Sequence, residues 1–356
     1  MKNKLLLSTA LISGLISGSA AIAQTSVTGN LAINYKAQSF DGTNNALSTR
    51  GFGRESQVNV QNKGKLNNGM DYAAGFSLEF DGNNSTTTTA GAQTLTAGTE
   101  ANSISNENFY IDFISGNTTL TVGVDHIQNI TQSQVPQITD IMDNVIAGFS
   151  GTGANTIGAR TKESAGFGIV QKVPAAGLSA SINYAPKAFD FGGTDQSAGA
   201  TSLISNSSYE YGVVGTDTFG VKGLGLRYFA NKMDQATAAT TDIKGSHYGI
   251  SYATGPAAIG YERHKQNRTA ATTATDLDQK SDTFGVTFAM SPIVTVGLTH
   301  VKTDVSTAVD EKVTSLSLGY NLGPVALVAV ASKGEDTANT ANRDVNDLTL
   351  RLSTAF

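Results

Sequence analysis

Four histidines are the first residues that could do chemistry: His126, His247, His264 and His300. An imidazole can ligate a metal or act as a general base near neutral pH. None of the four lies in an H-E-x-x-H or comparable spacing, so the sequence assigns no metal ligand and no catalytic residue. They read instead as solvated polar groups near the outer rim of the strands that carry them. Cysteine is absent, which removes thiol nucleophiles, disulfides and Cys-ligated metals together. Phe149-Ser150-Gly151-Thr152-Gly153 is glycine-rich, but no strand precedes it and no helix follows, as a nucleophile elbow would need. Asp140 and Asp143, which flank Ile141-Met142, remain. They suit either an acidic edge on a constriction or an ordinary solvated loop. No cofactor is implied by any of these residues.

With no reactive centre, the elements themselves must carry the function. Lys2 and Lys4 precede the mostly apolar Leu5 to Ile16, and Ala21-Ile22-Ala23 ends at Gln24. That order of basic, apolar and small residues predicts a secretory signal peptide over 1–23, leaving one unit over 24–356. The chain has 38 Gly, 6 Pro, no Trp and a net charge of −5. An acidic balance of this kind excludes a nucleic-acid partner. No later segment approaches the length of apolar helix needed to cross a bilayer. A membrane-spanning form would therefore have to be a closed barrel, the other structure that satisfies every backbone group in lipid.

The dominant period is two. Met70, Tyr72, Ala74, Phe76, Leu78 and Phe80 alternate with small or polar residues, as do Leu316, Leu318, Tyr320 and Leu322, and Leu348, Leu350 and Leu352. This is the pattern of strands with one apolar face. Lys36, Glu79, Asp112, Asp125, Arg227 and Arg351 keep to the polar parity, which makes them lumen-facing charges if the strands close into a barrel. Lys280 and Asp282 share the apolar parity, at a strand start where a rim tolerates charge. A soluble sandwich would show the same alternation, and the connections separate the two. Short turns near 67–69, 116–117, 174–177, 215–217, 255–256, 291–292 and 323–324 alternate with long polar stretches at 38–53, 82–105, 127–162, 187–206, 232–243, 266–278, 303–311 and 335–344. The expectation is an all-β, transmembrane antiparallel β-barrel of about 16 strands, with short periplasmic turns and long external loops. Strand ends are blurred over 206–224. A secreted adhesive β-protein and a barrel enzyme are the rivals. The first predicts polar faces on both sides, the second a clustered acid–base constellation at the rim.

Three segments add a resemblance. KGKLNNGMDYAAGFSLEF (63–80) is an N-G turn feeding a strand that ends F-x-L-E, and NFYIDFISGNTTLTVGVD (108–125) is a second hairpin. LTLRLSTAF (348–356) closes on Phe356. Together they resemble the trimeric general porins of Gram-negative bacteria. Members of that family often carry Arg directly after the glycine of the second hairpin, whereas here Gly123 precedes Val124 and Asp125. The resemblance implies a passive diffusion channel for small hydrophilic solutes and ions across the bacterial outer membrane. It further implies a homotrimer in contact with outer-membrane lipid, and Phe356 as the signal read by the barrel-assembly machinery. It also implies that the loop at 127–162 folds into the pore and constricts it. That loop carries Ile127, Ile130, Val135, Ile138, Met142 and Phe149, apolar side chains that need a wall to pack against.

Overall fold

Val27, Leu31 and Ile33 lie exposed between Ala32, Gln38 and Phe40, which are buried, so the first alternating run is a strand with its polar-bearing face covered. The same inversion runs through the computed structural model of the protein. It describes residues 24–41, 49–79, 88–89, 92–93, 105–124, 165–185, 207–237, 240–270, 277–306, 309–337 and 341–356. Its long strands are β1 (Gln24–Phe40), β2 (Thr49–Lys65), β3 (Asp71–Glu79), β4 (Ser105–Ser115), β5 (Thr118–Val124), β6 (Ala165–Val173), β7 (Leu178–Ala185) and β8 (Ser208–Gly215). The second half adds β9 (Leu224–Thr237), β10 (Thr240–Thr254), β11 (Ala257–Ala270), β12 (Leu277–Ser291), β13 (Val294–Val305), β14 (Glu311–Asn321), β15 (Val325–Glu335) and β16 (Val345–Ala355).

Each strand pairs antiparallel with its sequence neighbours, and β1 also pairs with β16, from Asn30 opposite Ala355 to Phe40 opposite Val345. The sheet is thus a closed barrel with no free edge, as the sequence predicts. A separate pairing of Thr88–Thr89 with Ala92–Gln93 stands outside it. One end of the barrel carries tight turns. At the first of these Leu66 donates to the Met70 carbonyl (2.8 Å) and Gly69 adopts φ 86°, a left-handed conformation that glycine enters without a Cβ penalty. Both ends of the chain's strand run, Gln24 and Phe356, lie at this turn end.

Two expectations about connections are corrected. The stretch 232–243 is strand for most of its length: the β9–β10 ladder continues to Thr237 opposite Thr240, with an irregularity at Asp234. Polarity on both faces suggests a loop in sequence, yet a strand that projects beyond an apolar belt has no reason to keep one face apolar. For the same reason β11 and β12 reach into 266–278 and β13 into 303–311. At the other end, the turn expected at 215–217 runs on through a 3-10 turn at Thr218–Gly220 to Leu224, with Asp217, Phe219, Gly220 and Gly223 all at positive φ. This is the region in which strand ends are blurred in sequence.

Among the described residues no extended hydrophobic core forms inside, although Val301, Val313, Val330 and Val345 are buried on the inner side. The apolar cluster of buried residues is Phe229 with Val214 packed on it. The large aliphatic and aromatic side chains, Ile182, Leu316, Leu352 and Phe284 among them, are exposed on the outside.

Candidate functional site: the inner wall of the barrel

The inward parity carries polar side chains across neighbouring strands. Thr121, Asn183, Glu210, Arg227, His247, Glu262, His264, Ser281, Thr303, Glu311 and Asp347 are all buried, although none belongs to an apolar core. Buried polar groups persist where partners meet them, and several partners are in view. Thr121 donates to Asp112 Oδ1 (2.6 Å), Asn183 Nδ2 contacts Glu210 Oε2 (3.4 Å), and the Ser315 and Ser332 hydroxyls share a hydrogen bond of 2.7 Å. Lys36 Nζ lies 3.6 Å from Asp347 Oδ2, while Thr349 donates to Asp347 Oδ1 at 2.9 Å. Gln61 donates to the Tyr110 hydroxyl.

The charges singled out in sequence fall as follows. Lys36, Glu79, Asp112, Arg227 and Arg351 share the parity of the buried wall, with Arg227 the most deeply covered of them. Lys36 on β1 and Arg351 on the paired β16 stand one inward step apart in register, Arg351 opposite Asn34 and Lys36 opposite Thr349, whereas Arg227 lies on β9. Asp125, Asp140, Asp143 and the whole 127–162 loop lie outside the described residues.

The expectation that all the histidines lie at the rim is corrected. His247 and His264 sit about halfway along β10 and β11, because those strands run further than the polar stretches suggested. They are cross-strand partners, and both face inward. Their rings stack with centroids 3.7 Å apart and planes at 19°, and Phe229 meets His247 edge-on at 4.9 Å. Glu262, on the same face of β11, reaches both: His247 Nε2 lies 3.3 Å from Oε2 and His264 Nε2 lies 3.4 Å from Oε1. These contacts are close enough for ion pairs but are not aligned as hydrogen bonds, and the ring nitrogens find no hydrogen-bond partner. Among the described residues this is the cluster whose donor atoms suit a metal ion. His300 faces outward, its Nδ1 2.9 Å from the Thr314 hydroxyl. His126 lies outside the described residues.

The outer face is apolar toward the turn end and charged above it. Asp282 takes two hydrogen bonds from Arg263, one of them 2.8 Å. Lys280 bridges to Asp304 (3.1 Å), and Lys302 links Asp304 (2.7 Å) to Asp310 (3.0 Å). Lys280 and Asp282 thus share the outward parity near the start of β12, each paired with neighbouring charges. At the seam, Gly29 and Phe356 exchange backbone hydrogen bonds of 2.9 and 3.0 Å. The Phe356 ring covers Gly29 so closely that a Cβ there would meet it at 2.4 Å.

A closed antiparallel barrel with polar wall residues inside and a lipophilic outside is the architecture of outer-membrane barrel proteins, diffusion channels among them. The family described as Gram-negative porin matches residues 8–339, and the chain belongs to it. It is accordingly a passive diffusion channel of the bacterial outer membrane. Solved structures share the fold. An anion-selective porin from Comamonas acidovorans superposes with a TM-score of 0.68 at 14% identity, covering 94% of this chain and 100% of that one. A loop L8 deletion mutant of OmpT, an outer membrane protein of Vibrio cholerae, gives 0.65 at 11% identity over 94% and 99%. OmpF of Salmonella typhi, in complex with daunomycin, gives 0.62 at 9% identity over 94% and 98%. No curated protein sequence matches the chain.

Proposed function

We propose that small hydrophilic solutes and ions pass through a bore narrowed by the loop at 127–162, with cations favoured. The observation that carries this reading is the inversion of the barrel, with charged and polar side chains inward and most of the large aliphatic and aromatic side chains outward. A wall of this kind needs no cofactor and no reaction: it sorts solutes by size and by the field of its charges. The narrowing is supported by the shielding of the inner wall at mid-height, where Glu210, His247, Glu262 and His264 are almost wholly covered. The loop at 127–162, between β5 and β6, is long and carries enough apolar residues to pack there, with Asp140 and Asp143 near its middle. Asp140 and Asp143 then face the water path, in keeping with the inward Glu210, Glu262 and Glu311.

The same reading makes residues 1–23 an export signal that is removed, and 24–356 the mature barrel. It makes the chain one subunit of a homotrimer, with the outer apolar belt against lipid and Phe356 as the mark recognised by the barrel-assembly machinery.

Reversal potentials in a salt gradient test the constriction. The double substitution Asp140→Asn with Asp143→Asn should move the zero-current potential toward anions at low salt. The effect should fade as the screening length falls below about 10 Å near 0.1 M. An unchanged potential at low salt removes the two carboxylates from the path. A deletion of 136–150 that leaves single-channel conductance unaltered removes the loop.

A further inference from the structure

We infer that His247, His264 and Glu262 form a binding site for a divalent transition-metal ion of the zinc class, set in the inner wall and tying β10 to β11. This goes beyond the channel reading, which assigns these residues nothing but polarity.

The donor set comes first. Two imidazoles and one carboxylate are the ligands of borderline metals such as Zn2+, Cu2+ and Ni2+, and leave a fourth position for water. Ca2+ and Mg2+ ask for oxygen ligands throughout, which this cluster does not offer.

The spacing fits as well. The candidate ligand atoms of the three residues lie within 4.8 Å of one another. Zinc bonds of about 2.1 Å in a tetrahedron put neighbouring ligand atoms roughly 3.4 Å apart. The two Nε2-to-carboxylate distances, 3.3 Å to Oε2 and 3.4 Å to Oε1, are of that length, each ring reaching its own oxygen of Glu262.

The wall leaves the ring nitrogens incompletely satisfied: each Nε2 approaches a Glu262 oxygen without hydrogen-bond alignment, and neither Nδ1 has a hydrogen-bond partner. His247 and His264 are essentially fully buried. Buried imidazoles are ordinarily satisfied, and an ion ligated through Nε2 supplies what the wall does not.

The backbone holds the three residues in place. His247 is directly opposite His264, and Glu262 stands one inward position further toward the turn on the same strand. Two features oppose the ion and set what must change. The rings are stacked, so their lone pairs do not converge as they stand, and one ring must turn about its Cβ–Cγ bond. Phe229 abuts His247 edge-on, which leaves His264 to turn. Arg227 faces Glu262 across Gly249 and acts on it electrostatically, so an incoming cation has to outcompete that field.

The test is metal binding on the folded protein in detergent, stripped with chelator and then equilibrated with Zn2+ against a chromophoric competitor. One Zn2+ per chain is expected. His247→Ala and His264→Ala should each weaken binding at least ~10-fold, and the pair should abolish it. His300→Ala, on the outer face, should leave it unchanged. Co2+ should give visible ligand-field bands in the wild type that the double variant lacks. Unboiled gel migration checks that each variant is folded. If the alanine variants fail to fold, Glu262→Gln and His264→Asn carry the comparison, and X-ray absorption of the zinc-loaded wild type must show two imidazoles in its shell. Absence of stoichiometric binding, or binding that survives loss of both histidines in folded protein, overturns the site. None of these readouts uses conductance, so a negative result leaves the channel reading standing, and a failed channel assay leaves this one standing.

Discussion

Ser353 and Leu318 sit in the same barrel wall and differ in which way they point. Leu318 is exposed on the outer face, whereas Ser353, opposite Ala32 and Ala326, is half-buried on the inner parity. An arginine at 318 puts a guanidinium against lipid, and Leu318→Arg should destabilise the barrel by roughly 2–4 kcal/mol if the site is near the bilayer midplane. Ser353→Arg should fold normally and change conductance instead. Urea titration of the refolded variants in lipid vesicles reads the difference, and equal stability of the two variants would deny the assignment of faces. The seam makes a second prediction at this scale. Gly29→Val drives a side chain into the Phe356 ring and the Gln57 carbonyl, 2.5 Å from the Cβ position. It should lower the folded yield, as should deletion of Phe356, which removes two backbone hydrogen bonds with the ring. Outer-membrane yield under strong expression measures both, and wild-type yields for either would count against a closing role. Parity is a single-residue signal in sequence: Lys36, Glu79, Asp112, Arg227 and Arg351 share the parity of the buried wall residues, and their facing a water path belongs to the proposed function. The histidine–glutamate cluster was overlooked because no linear spacing of ligands marks it. Its signal was the turn: His247 and His264 stand equally far from Gly255-Pro256, so a tight hairpin there must bring them face to face.

Strand ends are where element-scale reading falters. The turn end was legible because Gly, Pro and Asn mark the chain's reversals, as at Gly69, Gly255 and Gly323. The loop end was not, because beyond an apolar belt both faces of a strand are polar and alternation vanishes while the hydrogen-bonded ladder goes on. The β9–β10 hairpin, with Thr237 opposite Thr240, is the plainest case. The charged upper parts of β11, β12 and β13 lie in this zone. Their outward ion pairs, Arg263 with Asp282 and the chain from Lys280 through Asp304 and Lys302 to Asp310, are partly exposed. Pairs of that kind contribute about 1 kcal/mol or less, and salt screens them. Asp282→Ala should therefore cost at most about 1 kcal/mol at low ionic strength, and less at high salt. A loss that grew with salt would mean the pair's role is not electrostatic.

At the scale of the whole molecule, closure is what turns alternation into a channel. A sheet with the same pattern left open would have to bury its apolar face against a second layer. Here β1 pairs with β16 and the apolar face is left outside for lipid to cover. That inversion rules out the sandwich that the alternation alone permitted. The most direct measurement is current through a single purified, folded protein in a planar bilayer. Insertion should produce discrete, ohmic steps that rise with salt concentration, with no added ligand or energy source. Folded protein that inserts without any conductance step, or whose current does not follow the concentration of the bathing salt, would contradict a diffusion channel.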